Sequence, residues 1–274
     1  TWDEMVDPRA TLDDLDREQM QRFRKLCNLK GRRPIPPDEE DLTVLEKLGL
    51  LQERNVSRAA VLLFGRNPQH FYPQARVRIG RFRTGTLIVD DREIVGPLFD
   101  QVEAVMGYFR ERLETRFVFR EAATRDVVWE YPLGALREAV INAVCHRDYL
   151  DSGHVQVRWH DDHIVFLNPG ELPESLRIED LRREHRSVLR NRKIAEALFY
   201  AGFIEQWGSG TLRMIQECVE SDLPEPKFEE RQEALWVTFR KDILTEEHLR
   251  AEGLNERQVR AALFVKEQGR ITNQ

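Results

Sequence analysis

Between Pro132 and Val219 the sequence spells a helix, a hairpin and a glycine-opened helix in fixed order, and this order restricts the fold more than any other feature. Pro132 starts the first helix, where a missing N–H costs little, and Leu136, Val140 and Val144 line its buried side. Glu138, Asn142, Cys145 and Tyr149 follow the adjacent face. Val155, Val157 and Trp159 then alternate, Asp161-Asp162 turns the chain, and Ile164 to Leu167 returns toward Asn168-Pro169-Gly170. A helix from Asn191 to Tyr200 closes on Gly202, and Phe203-Ile204 leads into Gly208-Ser209-Gly210-Thr211, where a helix from Leu212 to Val219 begins. Leu235, Val237 and Phe239 alternate with Trp236, Thr238 and Arg240 as a last strand.

The chemistry of this stretch lies in two places. Glu138 and Asn142, at i and i+4, set a carboxylate beside an amide oxygen. A carboxylate can take a proton from an attacking water, and an amide oxygen is a hard, neutral ligand suited to magnesium shared with phosphates. E-x-x-x-N alone is common and reads as an ordinary Glu and a satisfied Asn. The glycine turn supplies the second place, because small residues at a helix N-terminus let backbone N–H groups approach phosphate oxygens along a favourable dipole. A lone G-x-G is a flexible turn, so the weight comes from the ordered series.

That series, Arg137 to Tyr149, then Asn168-Pro169-Gly170, then Gly208-Ser209-Gly210-Thr211, resembles the GHKL (Bergerat-like) ATP-binding fold. It is more closely similar to the divergent ATP-binding module of transcriptional regulators often labelled RecG-like. Val56 to Gly65 and Leu254 to Gln258 extend the resemblance over most of the chain. It implies an α/β chain, an α+β sandwich with a mixed sheet and helices on one face, binding ATP and Mg and hydrolysing ATP slowly. Glu138 is then the general base, Asn142 the magnesium ligand, and His146 a lining residue of the nucleotide pocket. Asn168 faces adenine, standing where the family has Asp, and Leu172 replaces a second glycine. Gly170, Gly208, Ser209, Gly210 and Thr211 approach the nucleotide. Between these motifs lies the segment that forms a lid in the family, here carrying Arg182, Arg183, Arg186, Arg190, Arg192 and Lys193. A non-catalytic sensor, or a degenerate fold serving as a DNA-binding or dimerisation scaffold, is the alternative.

Before the ordered series, Leu12, Leu15, Met20, Phe23 and Leu26 recur near helical spacing from Ala10 to Leu29, and Leu42, Leu45 and Leu48 repeat it after an Arg32-to-Pro37 linker. Val61 to Phe64 reads as a buried strand or turn, and Ala75 to Thr84 as a strand. In the latter, a bulge at Gly80 would put Arg76, Arg78, Arg81 and Arg83 on one face, a solvated face rather than a nucleic-acid contact because no aromatics interleave. Leu98, Val102, Val105, Phe109 and Leu113 mark a long amphipathic helix. Thr245 to Arg250 and Asn255 to Glu267 read as two helices, the opening of a winged helix in the resembled regulators. The expected division is 1–53 helical, 54–130 α/β accessory, 131–242 ATP-binding and 243–274 the winged-helix start. Both ends read as cuts in a longer chain, so DNA binding is expected of flanking domains, one of Schlafen-AlbA type, and homodimerisation of the whole.

Composition excludes several classes. The three cysteines, Cys27, Cys145 and Cys218, form no C-x-x-C pair, so no disulfide framework or zinc ribbon is encoded, and a reducing cytoplasm fits best. No apolar run reaches the roughly 20 residues of a membrane-spanning helix. A net charge of -6 argues against a general nucleic-acid coat. No Gly-Lys dipeptide occurs, so there is no Walker A loop, and His146-Arg147-Asp148 lacks the downstream Asn and the D-F-G of a kinase. Asp148 is expected to cap the turn after it, and His154, His160 and His163 form no zinc spacing.

Overall fold

A computed structural model describes residues 1–83, 86–119, 125–205, 208–241, 246–251 and 253–268. The first half holds α1 (Arg17–Lys30), α2 (Asp41–Lys47), a short ribbon of β1 (Leu51–Gln52) and β2 (Asn55–Val56), α3 (Arg58–Phe64) and α4 (Pro68–Phe71). β3 (Val77–Arg83), β4 (Leu87–Ile94), α5 (Leu98–Arg112), and the hairpin β5 (Thr115–Phe119) and β6 (Arg125–Trp129) follow. Then come α6 (Leu133–His146), β7 (Val155–Trp159), β8 (His163–Pro169), α7 (Arg192–Tyr200), α8 (Gly210–Glu220), β9 (Lys227–Arg231), β10 (Ala234–Arg240), α9 (Glu246–Ala251) and α10 (Glu256–Gln268).

One six-stranded sheet, ordered β4-β3-β7-β8-β10-β9, organises the molecule. β3 and β7 run parallel, Val77 opposite Val155, while every other neighbouring pair is antiparallel. Period-2 alternation sends Val77, Ile79, Val155, Val157, Trp159, Ile164, Phe166, Val237 and Phe239 to one face. There they meet α5, α6 and α8 in a two-layer α/β arrangement, as the sequence implied. The opposite face carries only a small cluster of Val165, Ala234 and Trp236 with Leu167. The N-terminal helices join the same main core, with Phe23 of α1, Phe64 of α3 and Phe99 of α5 forming one aromatic cluster. Asp3, fully buried, accepts from the Lys193 and Ile194 amides and so caps α7 from far away in sequence.

Several expectations need correction. Val61 to Phe64 is the end of helix α3, not a strand. The Ser57 hydroxyl accepts from the Ala60 amide at 3.2 Å and caps a helix buried on all sides, which erases the periodicity that separates helix from strand. The Ala10-to-Leu29 pattern divides into a 3-10 turn at Leu12–Asp14 and α1, which starts after the Asp16 cap. The bulge in β3 lies between Arg81 and Phe82, not at Gly80. Arg76 pairs with Glu93, Arg78 with Asp91, and Arg81 with Asp161, so carboxylates neutralise that strand. β4, the β5–β6 hairpin and β9 carried no expectation. Thr84 and Thr245, which bounded an expected strand and helix, lie outside the described residues.

Candidate functional site

A pocket of about 1140 Å³, counted out to its open mouth, lies between α6, the β8 end, the 171–190 segment and the start of α8. Glu138, Asn142 and His146 reach it from α6, Asn168 from β8, and Gly170 from the turn that follows. Gly208, Gly210 and Thr211 complete it, whereas Ser209, the N-cap of α8, is not among its lining residues. Phe166, Met214, Leu235 and Val237 supply an apolar interior.

The pocket's polar atoms are unequally satisfied. Asn168 is 6% exposed and its Oδ1 is buried without a donor. Thr211 Oγ1 is likewise buried and unpartnered. Leaving a buried polar atom unpaired costs about 1–3 kcal/mol, so Asn168 Oδ1 is poised for a ligand that donates and the Thr211 hydroxyl, which can donate or accept, for either kind. α8 begins without a side-chain cap, so its first amides keep their capacity for an anion. Two glycines permit close approach. Gly208 has φ +66°, and a Cβ there would stand 2.3 Å from the His185 carbonyl oxygen. Gly170, at φ +112°, lies under Arg190, whose Nη1 would be 2.2 Å from a Cβ.

Glu138 is 4% exposed and is held on both oxygens. Asn142 Nδ2 donates to Oε1 at 3.3 Å, and Arg213 of α8 pairs with Oε2. This arrangement leaves Asn142 Oδ1 available to a cation. Arg213 escaped the sequence reading, although its spacing could have revealed it. Gly210, Arg213, Met214 and Glu217 recur at i, i+3, i+4 and i+7, the stripe by which α8 meets α6.

His146 lines the pocket, and burial, with Arg190 and His185 nearby, pushes its imidazolium down to about 4. The ring is neutral at neutral pH. Because the folded state then binds fewer protons than the unfolded chain, stability present above about 6.5 is lost as pH falls toward about 4. Asp3 and Glu217, raised by burial, act in the opposite sense but equally in a His146→Gln variant. That variant is expected to lose less stability than wild type between pH 7 and pH 4.5, read from urea midpoints.

The neighbouring residues serve structure. Arg147, 1% exposed, donates to the carbonyls of Gln74, Asp148, Asp151 and Gly153. Asn191 donates to the Cys145 and Arg147 carbonyls at 2.9 Å each and so closes the α6 C-terminus. Asp148 accepts from the Leu150 amide, the capping role its position suggested. In the 171–190 segment Arg190 pairs with Asp148 at 3.4 Å and donates to the Glu171 carbonyl, and Arg182 pairs with Glu225. Arg192 and Lys193 share Glu196 within α7. Leu172, Leu176, Leu181 and Leu189 turn toward the pocket from this segment. His160 and His163 stack at 4.3 Å beside Phe82, and among the described residues no group of three His, Cys, Asp or Glu could hold a metal. No described helix is long and apolar enough to cross a membrane.

Comparisons with known proteins address the fold and this region. Residues 152–239 match the family HATPase_c_4, described as "Putative ATP-dependent DNA helicase recG C-terminal". The match takes in β7 to β10 with the 171–190 segment, α7 and α8, and starts after α6. Residues 1–78 match a "Domain of unknown function (DUF8451)". No curated protein matches. The crystal structure of the DIP2311 protein from Corynebacterium diphtheriae is similar in fold, with a TM-score of 0.71 at 24% identity. The similarity covers 88% of this chain and 48% of that one, so this chain spans about half the length of its structural relative. The stretch from β7 to β10 that forms the pocket wall is similar to this ATPase-like family.

Proposed function

We propose that this chain binds ATP with magnesium through a GHKL-like pocket and hydrolyses it slowly. The observation that carries the reading is the convergence of Glu138, Asn142, Asn168, Gly170, Gly208, Gly210 and Thr211 on one cavity, with the Asn168 oxygen buried and unpaired. Asn168 Oδ1 accepts a hydrogen bond from the adenine amino group. The amides opening α8, with Thr211 Oγ1, receive phosphate oxygens. Asn142 Oδ1 would hold magnesium. Magnesium supplies charge neutralisation at the phosphates. Glu138, once its carboxylate turns to the water, serves as general base.

Calorimetric titration of ATP and ADP with magnesium tests the binding claim, and absence of heat for both nucleotides would end it. Asn168→Ala is expected to weaken ATP about tenfold, the scale of one buried hydrogen bond, and to narrow its preference over GTP. Unchanged ATP affinity would remove Asn168 from the base site. A second reading, a sensor that binds without turnover, is favoured by the Arg213–Glu138 pair, which ties up the proposed base. ATP binding with no phosphate release selects it. Within a longer protein, residues 131–242 would form the nucleotide domain of a cytoplasmic transcriptional regulator. α9 and α10 would open a winged helix, flanking domains would contact DNA, and nucleotide state would be coupled to homodimerisation.

A further inference from the structure

α6 and α8 pack antiparallel, and each opens on a glycine that receives the other's carboxylate. A Cβ on Gly134 would lie 2.3 Å from Glu217 Oε2, and one on Gly210 would lie 2.1 Å from Glu138 Oε1. The Glu217 carboxylate lies against the first turn of α6, whose N-cap Pro132 offers no side-chain oxygen. Glu138 takes the corresponding position at the first turn of α8. That turn is where the nucleotide reading places phosphates, and a buried carboxylate there repels them unless a cation stands by.

Arg213 is placed to be that cation. It follows Gly210 by three residues, one turn into α8, and its guanidinium pairs with Glu138 Oε2. The Glu138 side chain is 5% exposed but that of Arg213 is 44% exposed, so the arginine can re-aim toward a neighbouring anion without unpacking the core. Arg137, a cation one residue before Glu138, is engaged elsewhere, 3.5 Å from Glu103 and over the Phe203 ring. A guanidinium has donors enough to keep one oxygen of Glu138 while taking one of a phosphate.

Resting on the nucleotide reading above, we propose that Arg213 is a positioning residue that screens Glu138 from the terminal phosphate of a nucleoside triphosphate, and thereby sets the preference for triphosphate over diphosphate. The test titrates ATP and ADP, each with magnesium, into wild type, Arg213→Met, Arg213→Lys and the double variant Glu138→Gln with Arg213→Met. Arg213→Met is expected to weaken ATP about tenfold or more and ADP less than about threefold, the scale of one charge-assisted bond. Arg213→Lys recovers most of the ATP affinity. Removing both charges returns ATP to within about threefold of wild type, because the repulsion leaves with the carboxylate. Equal losses for the two nucleotides, or no recovery in the double variant, overturn the proposal. Thermal unfolding without nucleotide provides a separate readout. Arg213→Met should lower Tm by about 4 °C and the double variant should regain it, since a buried carboxylate left unpaired is destabilising. No shift in Tm means that the pair does not hold in solution, which also overturns the proposal. A wild type that binds neither nucleotide defeats the nucleotide reading and this inference with it, and the nucleotide-free Tm series shows whether the pair itself was wrong.

Discussion

Glu138→Ala is expected to cut ATP turnover by about 10²–10⁴-fold, the contribution of a positioned general base, while ATP affinity changes far less. Glu138 alone among the pocket's carboxylates is both nearly buried and set against the first turn of α8. Its neighbour Asn142 offers oxygen to a cation but cannot accept a proton from water. Single-turnover hydrolysis with saturating ATP and magnesium separates chemistry from binding. Full activity in Glu138→Ala would remove the base assignment and require another group to activate the water.

Arg147→Met is expected to destabilise the fold by about 3 kcal/mol or more, read as a lowered urea midpoint. The guanidinium draws together the chain before β3, the turn after α6 and the approach to β7, through Gln74, Asp148, Asp151 and Gly153. Methionine keeps the aliphatic bulk but strands the Asp151 and Gly153 carbonyls and leaves those of Gln74 and Asp148 with only the Arg76 and Asp151 amides. Lysine does not rescue it, because one ammonium on a flexible stem cannot reproduce the planar fork. A midpoint within experimental scatter of wild type would show that water replaces the guanidinium at little cost.

How much of this was legible in the sequence varies by element. The β7–β8 hairpin, α7, α8 and β10 were readable because each shows one face to a core, and half-burial imposes a 3.6- or 2-residue period on the residues, whereas α6, with no exposed residue, was marked by Pro132 at its start and by its length. α3 misled because it is buried all round, so its period vanished and only the Ser57 cap distinguished it. β4 went unseen because it is an edge strand. Leu87, Ile88 and Val89 are all exposed, and its Asp91 and Glu93 serve arginines of β3 rather than a hydrophobic pattern. β9, also at an edge, buries little beyond Phe228.

The site divides in the same way. Spacing alone put Glu138 beside Asn142, and glycines at 208 and 210 marked a backbone approach, because i,i+4 neighbours and positive-φ turns are local consequences of the chain. Asn168 and Gly170 read locally only as the end of a hairpin and were named as site residues through the resemblance. What only tertiary structure decided is who faces whom between residues 20 or more positions apart. It set Arg213 on Glu138, Arg190 over Gly170, Asn191 on the α6 carbonyls and Asp3 on α7, and it left the Asn168 oxygen without a donor. Each of these depends on how helices approach and where a desolvated charge can find its partner, and no period in the sequence encodes a distance between elements that meet only after folding.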